Sequence, residues 1–159
     1  MASSVPPMDR SYNRKNRLQT ERLKQLVARL DPAQLRRPVG HQGWTVGAVL
    51  EYLAYWDGRV LAVLEAARLH DIPRAWWGDA EQAAVNHARL PSWCAEPPRQ
   101  TLRGVVQVAE ALDRVIEQLP PELAEAIAHE RPFALDRTLH RDSHLSDIER
   151  ALGIEAAGS

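Results

Sequence analysis

The chain has 159 residues, 45% of them apolar and 26% charged, which suits one soluble domain large enough to bury a core. Its 20 basic side chains stand against 21 acidic ones, leaving a net charge of −1, so an electrostatic nucleic-acid binder and an acidic-tail protein are both excluded. No apolar run approaches the roughly 18 residues of a spanning helix, residues 1–8 carry no apolar secretory core, and the single cysteine, Cys94, leaves no internal disulfide framework. A cytoplasmic protein with no membrane and no nucleic-acid partner is expected.

The first helix is predicted from about residue 9 to 30, because Leu23, Leu26, Val27 and Leu30 repeat at i, i+3, i+4 and i+7. A loop through His41-Gln42-Gly43-Trp44 leads to a second helix ending near Leu69. Thr45 is a suitable N-cap for it, with Trp44 and Val49 at the spacing of a hydrophobic staple. Val46, Val49, Leu50, Leu53, Trp56, Val60, Leu61 and Leu64 give this helix a wide apolar stripe. Residues 72–98 hold Trp76, Trp77, Trp93 and four of the eleven prolines. They read as a long structured connection, with a short helix over Asp79–Leu90. Connections of this length are often functional.

A further long helix is predicted from Thr101 to Leu119, stopped by Pro120 and Pro121, with a short turn over Glu122–Ala128. Asp136 is placed to cap a last helix from about Arg137 to Leu152, ended by Gly153. Residues 154–159 read as a flexible tail. No strand alternation and no internal repeat is visible. The reading is a single all-α domain over 1–159, with its core at about 9–152. It is a four-helix bundle with a long Trp/Pro-rich connection between its second and third helices. The length of that connection favours a crossover topology over simple up-and-down order.

The pattern richest in chemistry is His140-Arg-Asp-Ser-His144. Histidines four apart on a helix share one face, one turn apart, and can reach one metal ion. Imidazole suits zinc, nickel, copper or iron. The same spacing also arises where two histidines simply hydrogen-bond at a helix flank, and a catalytic zinc usually takes three protein ligands. Gly43-Trp44-Thr45-Val46 reads physically as the capped start of a core helix, with its tryptophan in packing. His41, His70 and His129 read as solvated, and Cys94 as a packed thiol rather than a nucleophile.

Together the Gly-Trp-Thr-Val segment and the His140/His144 pair resemble the DinB-like (YfiT-like) superfamily of bacterial four-helix bundles, most nearly its ClbS/DfsB-type branch. The resemblance implies a metal site of three histidines, one on the second helix eight residues after the tryptophan and two on the fourth. The fourth-helix pair matches His140 and His144, and Ile148 matches the apolar position after it. Asn86 resembles an asparagine found before the third helix of many relatives. The second-helix histidine position is Tyr52 here, and a phenol with a reference pKa of about 10 is a poor ligand. Three readings stay open. The metal site is lost and the bundle binds a molecule without catalysis, the third ligand comes from elsewhere (His87 and Glu51 fit by type), or Tyr52 itself ligates the ion or its water.

The resemblance implies a divalent-metal-dependent hydrolase or thiol-dependent transferase acting on a small organic molecule. Zinc or nickel would sit on His140 and His144, while Tyr52, Asn86 and Trp77 would bind substrate. The alternative is a metal-free small-molecule-binding or interaction module. A homodimer is also expected, since Tyr55 and Trp56 cannot both face one core.

Overall fold

The computed structural model describes residues 8–155; the termini outside that range, including most of the expected tail, lie beyond the described residues. Among the described residues seven α-helices follow in chain order: α1 (Tyr12–Val27), α2 (Pro32–Leu35), α3 (Val46–His70), α4 (Asp79–Ala95), α5 (Pro98–Gln118), α6 (Pro121–Glu130) and α7 (Thr138–Leu152). A single 3-10 turn at Pro132–Ala134 precedes α7. No strand occurs among the described residues, so the all-α expectation holds.

Local sequence sets the helix ends. Thr45 caps α3 by accepting from the Ala48 N–H at 3.1 Å. The first predicted helix stops at Val27, short of Leu30, because a separate turn begins at once. Asp31 and Gln34 form a capping box around Pro32, and a residue before proline is disfavoured in the α region. Asp71 ends α3 in the left-handed conformation, and Gly153 ends α7 the same way. Asp136 accepts from the Thr138 N–H at 3.0 Å, so it steadies the start of α7 from one position before the cap.

Two connections are more helical than their sequences suggest. The helix expected to stop at Leu90 continues through Pro91 to Ala95 as α4. Proline removes one backbone hydrogen bond there, but His87, four residues before it, is exposed, so its freed carbonyl can reach water. The expected turn over 122–128 is the ten-residue helix α6, which starts on Pro121 and buries Ala124 and Ile127.

Helices α1, α3, α5 and α7 form the bundle. α3 packs against α5 and α7, and α1 packs against the same two. The long helices that follow one another through the α2 and α6 connections, α1 to α3 and α5 to α7, therefore lie across the bundle diagonal. The crossover expected at the α3–α5 connection is found instead at these two. The α3–α5 connection is long because α4 folds back along the outside of α3 and returns the chain beside it.

The centre of the bundle is not purely apolar. Asp57 of α3 accepts from Arg137 Nε at 2.9 Å and Arg141 Nε at 3.1 Å. Arg141 Nη1 also reaches Asp113 of α5 at 2.8 Å and Thr20 of α1 at 2.9 Å. Asn16 of α1 donates to the Leu135 carbonyl and accepts from the Arg137 N–H. Two guanidinium groups meet two carboxylates, so the cluster is neutral and its members satisfy one another, as buried charge requires. Burial alone would raise Asp57, but Arg141 and Arg137 hold it down to about 2. Each of the four bundle helices contributes a member, so the cluster fixes their register.

Tyr55 and Trp56 are both accounted for within one chain. Trp56 is buried, while Tyr55 lies edge-on to Trp56 and against Trp93 of α4, with the Arg89 guanidinium 4.4 Å above its ring. The sequence argument for a homodimer through that position is thereby removed, because α4 takes the place of a partner.

Candidate functional site

The site forms where α7 meets α3 beneath α4. His140 and His144 lie one turn apart, with ring centroids 5.1 Å from each other. Tyr52 of α3 packs on both, at 5.4 Å from His140 and 4.8 Å from His144. Trp44 and Trp93 close the other side of the phenol, both edge-on, at 5.7 and 6.0 Å. Trp44 thus owes its place to this aromatic cluster as well as to the start of α3. Such edge-to-face contacts suit the ring quadrupoles.

Both imidazoles are neutral near pH 7. Burial, with Arg137 nearby, pushes His140 down to about 3, and burial also lowers His144. His140 Nε2 is enclosed and has no hydrogen-bond partner. Burial raises the Tyr52 phenol, against the hydrogen bond it accepts from Gln82, so it stays protonated.

Helix α4 supplies the polar groups on the opposite wall. Gln82 Nε2 donates to Tyr52 Oη at 3.3 Å, and Trp77 Nε1 donates to Gln82 Oε1 at 3.2 Å. One turn on, Asn86 Oδ1 accepts from Trp56 Nε1 at 2.8 Å. Trp77 itself is buried between the guanidinium groups of Arg59, at 4.8 Å, and Arg131, at 5.5 Å.

Two cavities meet at His144. One of about 540 Å³ is lined by Trp44, Val49, Tyr52, Asn86, His144 and Arg150, among others. The other, about 390 Å³, is bounded by Trp77, Gln82, Arg131, His140 and His144. The walls of the larger are mostly apolar with a few convergent polar groups, the usual form of a small-molecule site.

Every residue expected to serve the site is at or next to it. His140, His144 and Tyr52 are in mutual ring contact, and Asn86 lines the larger cavity together with Tyr52 and His144. Trp77 stands one step back, reaching Tyr52 through Gln82. The two substitute ligands considered by type are elsewhere. His87 is exposed on α4, and Glu51 faces Thr101 and Glu96. Cys94, expected to be packed, is exposed near the end of α4, its Sγ 3.7 Å from the Gly43 carbonyl. Gln82 escaped the sequence reading, although its i, i+4 spacing from Asn86 puts both amides on one face of α4.

The donor set does not fit a three-histidine metal centre. No group of three or more His, Cys, Asp and Glu gathers among the described residues. The third position is filled by a protonated phenol whose oxygen already accepts from Gln82.

Four long helices in crossed order, with two histidines of the last facing the second, define a DinB-like bundle. The profile described as the mycothiol maleylpyruvate isomerase N-terminal domain matches residues 17–142, and the chain belongs to that family within the DinB/YfiT-like superfamily. No curated protein and no solved structure shows a significant match to the chain. No helix among the described residues is long and apolar enough to cross a membrane.

Proposed function

We propose that this protein binds a small organic molecule in the cavity bounded by Trp44, Tyr52, Asn86 and His144, and that it does so without a three-histidine metal centre. The observation that carries this reading is the placement of Tyr52. Its ring packs on both imidazoles from the position where the superfamily resemblance implies a third histidine. The neutral His144 imidazole then serves as a hydrogen-bonding group of this largely apolar site, while His140 faces the adjoining smaller cavity. Family membership supports a thiol-dependent setting for the bound molecule. The ClbS/DfsB kinship and the cytoplasmic location expected from the sequence belong to the same proposal.

A second reading keeps the divalent ion, as a zinc- or nickel-dependent hydrolase or thiol-dependent transferase. It is favoured by one observation, the enclosed and unpartnered Nε2 of a neutral His140, since imidazole must be neutral to ligate. Elemental analysis of untagged protein purified without chelator separates the two, run beside the His140→Ala/His144→Ala double variant. The metal-free reading expects no stoichiometric ion in either protein, even after incubation with zinc or nickel. One ion per chain in the parent and none in the variant would replace it with the second reading.

A further inference from the structure

Hydrogen-bond direction in the α3–α4 wall is fixed by two tryptophans. An indole N–H can only donate. Trp77 therefore requires that the atom of Gln82 facing it be the amide oxygen, which turns the Gln82 NH2 toward Tyr52. Tyr52 Oη is thus an acceptor from Gln82, and its own O–H must point elsewhere. Among the described residues it donates to no protein group.

The same logic runs one turn along α4. Trp56 donates to Asn86 Oδ1, so the Asn86 NH2 faces away from Trp56 and likewise donates to no protein group among the described residues. Tyr52 and Asn86 both line the larger cavity. Its wall therefore presents two donors whose orientation is set from behind, within a surround of Trp44, Val39, Val49 and a neutral His144, with Asp147 and Arg150 also lining it but paired to each other at 2.9 Å.

We propose that this cavity selects ligands carrying a carbonyl oxygen, held by the Tyr52 O–H and the Asn86 amide N–H, and that Gln82 is the positioning residue that aims the phenol. The inference rests on the small-molecule reading above and gives it a substrate class. An acceptor oxygen satisfies both donors, whereas a ligand without one leaves them unpaired, and desolvated polar groups without partners cost binding.

The test uses the full chain and two planar probes of nearly equal shape, acetophenone and α-methylstyrene, which differ in C=O against C=CH2. Binding is followed through the indole N–H signal of Trp44, which lines the cavity. Tyr52→Phe removes one donor. Gln82→Glu keeps the Trp77 bond but accepts the Tyr52 proton, turning it from the ligand. Asn86→Asp keeps the Trp56 bond and deletes the other donor. Each variant is expected to weaken acetophenone by about threefold to tenfold, the range of one hydrogen bond. α-Methylstyrene should change by less than about twofold. A purely structural role for these residues would weaken both probes together, and that result, or no change for either, overturns the donor assignment alone. A parent protein that binds neither probe overturns the small-molecule reading and this inference with it.

Discussion

The neutrality of His140 has a measurable consequence for stability. A histidine in the unfolded chain titrates near pH 6.5, while burial holds His140 down to about 3 in the folded protein. Between these values the unfolded state takes up a proton that the folded state refuses, so stability falls as pH drops. From pH 7.5 to pH 5 the loss assigned to this one side chain is about 2 kcal/mol, because the unfolded imidazole is about 30-fold more protonated than not at pH 5 while the folded one stays neutral. The figure is insensitive to the folded value so long as that lies well below 5. The assay is urea unfolding of the parent and of His140→Gln at pH 7.5, 6 and 5. Carboxylates add their own slope to both proteins, so the informative quantity is the difference between them. The parent should lose about 2 kcal/mol more than the variant over this range. Parallel pH profiles would refute the claim that His140 is held neutral by burial.

Three further outcomes follow from the cap, the core and the site. Arg141→Met should cost about 3 to 5 kcal/mol, because it leaves Asp57 short of a partner and Asp113 without its guanidinium in the bundle centre. A loss under about 1 kcal/mol in denaturant melts would show that the cluster does not hold the helices together. Thr45→Ala removes the α3 cap and should lower stability by about 1 kcal/mol, with Thr45→Ser restoring most of it. Equal melting temperatures for the parent and the alanine variant would dismiss the cap. Added zinc or nickel should leave the melting temperature of the parent unchanged if the site is metal-free, whereas a saturable rise lost in His144→Ala would favour the metal-dependent reading.

The long helices were legible because their apolar residues keep a 3.6 period over many turns. The Val46–Leu64 stripe fixed α3 almost to its ends. The α4 segment was not, because Pro91 looks like a stop and its buried face amounts to Trp93 alone, with the rest of its grip on α3 made by Gln82, Asn86 and aromatic contacts. Crossed connections were expected, but from loop length, which cannot tell a chain crossing the bundle from one that folds an extra helix and comes back. His140 and His144 were found through their spacing and Tyr52 through the family resemblance, and their contact follows from the facing of α7 and α3. Asp57, Asp113 and Arg141 escaped notice although each sits in the register of an apolar stripe, one turn from Leu53, Ala109 and Leu145. A charged residue in such a register is either a surface residue or a paired one, and pairing between distant helices is not written in any single helix.

The placement of α4 separates two tasks that share one wall. The charged cluster that fixes the bundle is built from α1, α3, α5 and α7 with the segment leading into α7, and α4 contributes nothing to it. The amides that aim Tyr52 and line the cavity are on α4, whose principal packing is against α3. Most substitutions along α4 therefore fall outside the framework that keeps the domain folded. On the small-molecule reading, substitutions on this one appended helix would change what the cavity accepts while leaving the charged framework beneath intact.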